Sequence, residues 1–542
     1  MNAEFREPGT ATSAARDERT RIESAMVGLR VLAMLPNHIE GRAEYLVRLL
    51  VTAKQRWGWH IDLFCNEGDR EAFQDLVAPS GRLFIAPDFA RPDSWEDDPK
   101  IIAAIDRKIS EAEQATLVPF GQLILASQAT IGRAYVAPVH RTNLTEFTAQ
   151  VLEDNTEASR IIRRMYKFAD DLVEATKPDL LLAYEWEKPW RSTVWMAAAS
   201  RGIFSVAIRR SKINADHYYW TTDRTLFNTA ARELAFAKSQ REDEVSEAAR
   251  GYIRTFREQP KTVKYVQAKW QYEKDKSWIG WHVGFMRNAA RYYLEMITGR
   301  GKRKRKWPLR KLLGYNLRIV LSRSRQDLFR AFEDYQLADL RYIYFPMHKE
   351  TDLPLVFQAP RWHDQRNTIQ LLSGMLPAGY RLLVREHRFN LGRRPEHYYR
   401  DLLRLPNIVL VNAVESQFKY IRNADLIVTE NGTSGWEGLL LGRRVLTLSR
   451  ASYDGAGLAH KVEDDDQLGG AILKALSQPA VPNASAHERR LGWMFDAERE
   501  TTFPMDVSGI PSGLDQLANL VASGSNWIDH SQQESEVASP TA

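Results

Sequence analysis

The sequence predicts an α/β protein built from two Rossmann-like domains with a helical, basic insert between them. Three observations predict it. Buried-type strands alternate with amphipathic helices in two separate regions, and the stretch between those regions carries no clear strand pattern. In addition, 542 residues exceed what one ordinary core accommodates. The composition, 44% hydrophobic and 27% charged, is that of a globular chain and excludes a fibrous or wholly disordered one.

Residues 1–26 and 523–542 are polar and read as disordered tails. The first domain spans 27–235. It opens with the strand "GLRVLAMLP", breaks at "NHIEG", and continues through the helix "RAEYLVRLLVTAKQRWG" to the strand "WHIDLFC". A second such unit follows, with a helix over 161–176, a strand at 179–184, a helix over 191–201 and the strand "IFSVAIRR". Residues 236–340 read as the helical insert. It holds Trp270, Trp278, Trp281 and Trp307, and "RGKRKRKWPLRK" at 300–311 places eight basic side chains together with no acid. The second domain, 341–522, alternates strictly. Strands at "RYIYFP", "YRLLVREH", "NIVLVN", "ADLIVTE" and "RVLTLS" are separated by helices over 364–376, 395–405, 415–423 and 434–441. That is the pattern of a doubly wound parallel sheet, which binds ligands at the carboxyl ends of its strands.

The single cysteine, Cys65, excludes an internal disulfide framework and a cysteine-based zinc site, and its place in "HIDLFC" reads as a buried strand position. No apolar run reaches the ~18–20 residues that span a bilayer, and the N-terminus lacks a signal-peptide core. A cytoplasmic protein, at most peripheral on the inner membrane, is therefore expected. The net charge of +6 favours an anionic partner without naming one. The basic run 300–311 beside tryptophans suits an anionic membrane surface, against the plainer reading of a solvated loop. No nucleic-acid-binding module accompanies the charge.

The chemistry is expected at "TENGTSGWEGLLLGRRVLTLS", Thr429 to Ser449. A strand delivers Thr429, Glu430 and Asn431 to the sheet edge, and Gly432-Thr433-Ser434-Gly435 turns into a helix. The free amides and positive dipole end of such a helix suit a phosphate, with Thr433 and Ser434 as added donors. The alternative is that Thr433 or Ser434 simply caps the helix. At the end of "LLVREHRFN", His387 and Arg385 or Arg388 reach the same edge and could meet a phosphate. His348, Glu350 and Asp352 follow the strand "YIYFP". A metal set is conceivable there, but three such residues within five on a loop are weak evidence, the plainer reading is a solvated loop, and no metal site is expected. In the first domain "YEWEKPWR" brings Glu185 and Glu187 to the end of strand 179–184, where a carboxylate could act as a base. Glu185 is preferred because it lies nearer the strand end. His38, Glu40 and Asp216 are weaker acceptor-side candidates. The dinucleotide and P-loop fingerprints, GxGxxG and GxxxxGK[ST], are both missing.

Four stretches in fixed order, "YIYFPMH", "DQRNTIQLLSGMLPAGYRLLVREH", "LPNIVLV…FKYIRNADLIVT" and "NGTSGWEGLLLGRRVLTL", resemble the capsule polysaccharide biosynthesis family, which includes the bacterial β-Kdo transferases. The resemblance implies a GT-B-like, metal-independent glycosyltransferase without a cofactor. It would move a sugar from a nucleotide-sugar, for which CMP-Kdo is the family's best-known donor, to a lipid-linked or glycan acceptor. It also implies that His387 contacts the nucleotide phosphate. Thr433, Ser434 and Gly435 would form the phosphate turn, and Glu437 would meet sugar or ribose. The family's proline after histidine is Arg388 here, and its Gln-Pro-Glu triplet is Glu350-Thr351-Asp352, which leaves other nucleotide-sugars open. A nucleotide-sugar epimerase or hydrolase, and a non-catalytic assembly protein, share the same architecture.

Overall fold

A computed structural model describes residues 13–36, 42–66, 73, 81–87, 89, 93–131, 155–214, 216–227, 229–261, 337, 340–349, 353–387, 390, 394, 396–411, 413, 415–462, 467–479 and 484–524. Two sheets organise the chain. The first has seven strands: β1 (Arg30–Met34), β2 (His60–Asn66), β3 (Leu83–Ala86), β4 (Leu180–Tyr184), β5 (Phe204–Arg210), β6 (His217–Thr221) and β13 (Phe503–Pro504). Their spatial order is β13-β6-β5-β4-β1-β2-β3, with β1 to β5 parallel and β6 and β13 joined antiparallel at one edge. The second sheet is wholly parallel. It contains β7 (Tyr342–Pro346), β8 (Arg381–Arg385), β9 (Ile408–Val411), β10 (Leu426–Thr429), β11 (Val445–Thr447) and β12 (His460–Lys461), in the order β12-β11-β10-β7-β8-β9.

Both orders are those of a doubly wound fold, with the reversal between β1 and β4 in the first sheet and between β7 and β10 in the second. Ligands of such sheets bind at the carboxyl ends beside that reversal. The central strands are buried on both faces, as in parallel sheets covered by helices, so they read as continuous apolar runs such as Leu180–Tyr184. Helix Asn155–Thr176 covers one face of the first sheet through Ile161, Ile162, Met165, Ala169, Leu172 and Val173, a helical spacing. Helix Arg42–Trp57 covers the other through Leu46, Leu49, Leu50 and Ala53.

Three segments lie elsewhere than the sequence predicts. The polar stretch 1–26 includes a helix, Ser13–Met26, rather than a tail throughout. The helix is tied to its neighbours: Glu23 accepts from Trp57 Nε1 at 2.5 Å, and the Met26 backbone carbonyl accepts from Trp59 Nε1 at 2.7 Å. The chain also returns at its end. β13 and helix Ile510–Ser523 pack on the first sheet, where Ile510, Leu514 and Leu517 join the core of β1 and β4. Helices Thr229–Glu242 and Glu247–Glu258, at the start of the expected insert, pack with helix Ala484–Glu500 against the second sheet. The basic run 300–311 lies outside the described residues.

Candidate functional site

β10 ends at the reversal of the second sheet and delivers Glu430, Asn431 and Gly432. The Thr429 hydroxyl accepts the Gly432 amide at 3.1 Å and folds the chain back tightly. Helix Thr433–Leu440 then begins with Gly432 as its cap residue and no side-chain capping bond, so neither Thr433 nor Ser434 caps it. The helix starts at the sheet edge, with Thr433 partly exposed and Ser434 buried. Two glycines make this approach feasible. A side chain at Gly432 would crowd Thr429 Oγ1 and His348 Nε2, at 2.9 and 3.1 Å. At Gly435 it would strike the Tyr453 hydroxyl, which crosses the helix start to donate to the Gly432 carbonyl at 2.9 Å. Burial first, with Asp454 and Glu437 adding, keeps that phenol well above its ordinary range and therefore protonated.

β7 brings His348 to the same reversal. Its Nε2 lies 3.2 Å from Glu430 Oε2; Glu430 is fully buried and His348 partly so. Burial, with the Lys212 cation adding, pushes the imidazole down to about 3. The His348 backbone is held on both sides by Gln365, whose Oε1 accepts its amide at 2.5 Å and whose Nε2 donates to its carbonyl at 3.0 Å.

β8 places Arg385 inward, where Nη2 donates to the carbonyls of Ala413 and Glu415 at 2.8 and 2.9 Å. It therefore shapes the loop after β9. Glu437 is buried on the inner face of its helix and accepts from Gln417 Nε2 at 2.5 Å. Burial raises its carboxyl to about 8, against the lowering by Arg385 and Gln417. His387 follows at the end of β8, half-buried, on a loop organised by buried Glu386. That carboxylate accepts from the His387 amide, Asn390 Nδ2, Tyr399 Oη and Arg394 Nε, at 2.5–3.1 Å.

The first domain offers carboxylates at its own reversal. Glu185 follows β4 with φ of 60°, the left-handed region that non-glycine residues rarely adopt and that marks strained functional positions. Buried Arg191 holds this corner by donating to the Tyr184 and Leu35 carbonyls at 2.6 and 2.9 Å, so it ties the ends of β4 and β1 together. Glu187 is buried and pairs with Arg209 of β5 at 2.5 Å, whereas Glu185 lies 3.9 Å from that guanidinium and keeps 28% of its side chain exposed. Burial alone would lower Arg209; Glu187 and Glu185 hold it above its ordinary value.

The two edges meet. Gln358 Nε2 lies 3.4 Å from Glu187 Oε1, and Gln358 Oε1 accepts from Asn431 Nδ2 at 3.1 Å. Lys212, two residues beyond β5, points Nζ at the Asn431 carbonyl at 3.4 Å. The structure thus brings Glu187 and its Arg209 partner, with Glu185 beside them, to the glycine turn. Arg385 and Glu437 lie beneath that turn. Asp216 is exposed in the turn between β5 and β6, and its carbonyl accepts the Met505 amide at 3.0 Å. His38, Glu40, Glu350, Asp352 and Arg388 lie outside the described residues. Among the described residues no group of three His, Cys, Asp or Glu side chains could hold a metal ion, and no helix is long and apolar enough to cross a membrane.

Sequence reasoning missed Gln358, Arg209, Lys212 and Tyr453. Arg209 carries a readable signal, a charged residue inside the buried run "FSVAIRR". Lys212 becomes a neighbour of the turn only through the meeting of the domains, whereas Gln358 and Tyr453 reach it through the fold of the second domain.

The strand orders and the facing edges define the class, a pair of Rossmann-like domains in a GT-B-like arrangement. Residues 317–469, which include the whole second sheet, match the model of a family described as "Capsule polysaccharide biosynthesis protein", the family that the four sequence stretches resemble. No curated protein matches the chain. Solved structures similar to it include the beta Kdo 2,7 transferase of Thermosulfurimonas dismutans KpsC (12% identity, 65% of this chain and 89% of that one, TM-score 0.33). The beta Kdo 2,4 transferase of the same protein is also similar (10%, 63% and 86%, TM-score 0.30). So is a putative UDP-N-acetylglucosamine 2-epimerase from Listeria monocytogenes (11%, 88% and 95%, TM-score 0.27). The fold rests on the strand orders rather than on these distant likenesses.

Proposed function

We propose that this chain is a glycosyltransferase of capsule or surface-polysaccharide assembly. The observation that carries the reading is the facing of two sheet edges: a strained, partly exposed carboxylate at β4, and opposite it a glycine-lined helix start. The donor is a nucleotide-sugar, CMP-Kdo being the first candidate, with its phosphate on the amides and hydroxyls of Thr433 and Ser434 and beside His387. Lys212 adds a cation from the other domain. Glu185, rather than the paired Glu187, takes the proton of the acceptor hydroxyl. The acceptor oxygen then bonds to the anomeric carbon as the bond from that carbon to the phosphate oxygen breaks. The electron pair leaves with the nucleotide, where the helix start and Lys212 stabilise the added charge. The acceptor is a glycan or lipid-linked glycan, and attachment to an anionic membrane through 300–311 would bring it close.

The test has two stages. CMP, UDP, GDP and their sugars are screened by thermal shift on wild type, His387→Ala and Thr433→Val. One nucleotide should stabilise wild type and do so less in both variants. Transfer is then followed with that donor and capsule-type acceptors, and Glu185→Gln should lower turnover by about 10²–10⁴-fold, the usual worth of a general base. Product formed without an acceptor would make the chain an epimerase or hydrolase. Binding without turnover, indifferent to Glu185→Gln, would make it a non-catalytic assembly protein.

A further inference from the structure

After β7 the chain does not pass directly to the next helix of its own domain. Helix Leu353–Gln358 lies between the domains, with apolar residues on both sides. Leu355 and Ala359, one helical turn apart, join the core of the second sheet. Val356 and Phe357 join the core of the first, among Ile161, Leu181 and Trp195. The Val356 carbonyl accepts from Gln122 Nε2 of the first domain at 3.0 Å. A short helix that is apolar all round has to be covered on every side, and here each domain covers one.

Gln358 ends this helix and is 5% exposed. A carboxamide has an acceptor oxygen and a donor nitrogen, and both are used across the junction. Nε2 donates to the Thr225 carbonyl at 2.7 Å and approaches Glu187 at 3.4 Å, both in the first domain. Oε1 accepts from Asn431 at 3.1 Å, in the second. The orientation is forced, because the reverse would set N–H against N–H at Asn431 and oxygen against oxygen at Thr225. Separation of the domains would take Gln358 Nε2 away from both the Thr225 carbonyl and Glu187, and its lost bond to that carbonyl has to be replaced.

We propose that Gln358 is a positioning residue that sets the width of the cleft, holding the Glu187–Arg209 pair and Glu185 at a fixed distance from the glycine turn before any ligand arrives. Its consequence for transfer rests on the function proposed above, but its effect on domain spacing does not. The spacing therefore forms the test, read without nucleotide, so failure of the transferase reading leaves it intact.

Exposed Glu111 and Gln370 lie one in each domain. In a Cys65→Ala background, Glu111→Cys and Gln370→Cys carry a dye pair for single-molecule distance measurements on the full chain. Gln358 intact should give one narrow distance from pH 5.5 to 8.5. Gln358→Leu should broaden it toward longer distances. Gln358→Glu distinguishes hydrogen bonding from packing. Protonated, the new carboxyl can donate to Thr225 and accept from Asn431; ionised, it has no donor and faces Glu187, with Glu185, Arg209 and Lys212 as the other charges around it. Its distance distribution should be narrow at pH 5.5 and broad at pH 8.5. A narrow distribution in Gln358→Leu overturns the proposal. If that variant does not fold, a Gln358→Glu distribution that ignores pH does the same.

Discussion

Gly435→Ala is the substitution whose effect follows most directly from geometry. The added methyl would sit 1.9 Å from Tyr453 Oη and 2.6 Å from Cζ, so the tyrosine has to move by more than an ångström. It has little room, being 1% exposed and stacked on Trp436 with ring centroids 6.4 Å apart. Trp436 is itself held by a 3.1 Å bond to Tyr252 Oη. Overpacking of this kind costs about 1–3 kcal/mol. Loss of the Tyr453 bond to the Gly432 carbonyl adds about 1–3 kcal/mol for a buried group left unpaired. The better helix propensity of alanine returns about 1 kcal/mol, so the net loss should be about 1–5 kcal/mol. Urea unfolding at pH 7 measures it. Gly470→Ala, in helix Leu468–Ser477 with nothing within 4 Å of the added methyl, is the control and should be stabilised. Adding Tyr453→Phe to Gly435→Ala removes the nearest clashing atom and should recover part of the loss. Equal stability of Gly435→Ala and Gly470→Ala would refute the claim that Tyr453 needs a glycine beneath it.

Two further outcomes follow from the same site. Glu437 has its carboxyl raised from 4.5 to about 8 by burial, so folding favours its protonated form. The associated stability is fully present below pH 4.5 and should fall by about 1.4 kcal/mol per pH unit as pH rises toward 8. Glu437→Gln should remove that slope, and urea midpoints that change equally with pH in both proteins would contradict the buried, proton-binding Glu437. Glu185 holds φ of 60°, which costs a non-glycine residue about 1–2 kcal/mol. Glu185→Gly should therefore fold at least as stably as wild type, by thermal or urea unfolding, while losing transfer. A clear loss of stability would mean that Glu185 supports the fold instead.

The second sheet was legible because each strand is a short apolar run of its own and each helix between carries a helical stripe. β7 to β11 fall within the predicted runs for that reason, whereas β12, the polar pair His460 and Lys461, has no such signature. The glycine turn was legible too, since Gly432 and Gly435 flank Thr433 and Ser434 between an apolar strand run and a helical one, although the tyrosine that needs Gly435 was not. What periodicity does not carry is the identity of the surface that covers a stripe. Ile510, Leu514 and Leu517 make a stripe that either sheet could accept, and only the structure assigns it to the first. The same gap hid the junction. "PLVFQAP" shows apolar side chains on successive positions, which on a short helix means cover on two sides, and two sides in this chain means two domains. A glutamine closing such a helix is then a buried amide that needs one partner from each. Gln358, Glu187 and Asn431 are far apart in the chain, yet the need to pair that amide is already present in those seven letters.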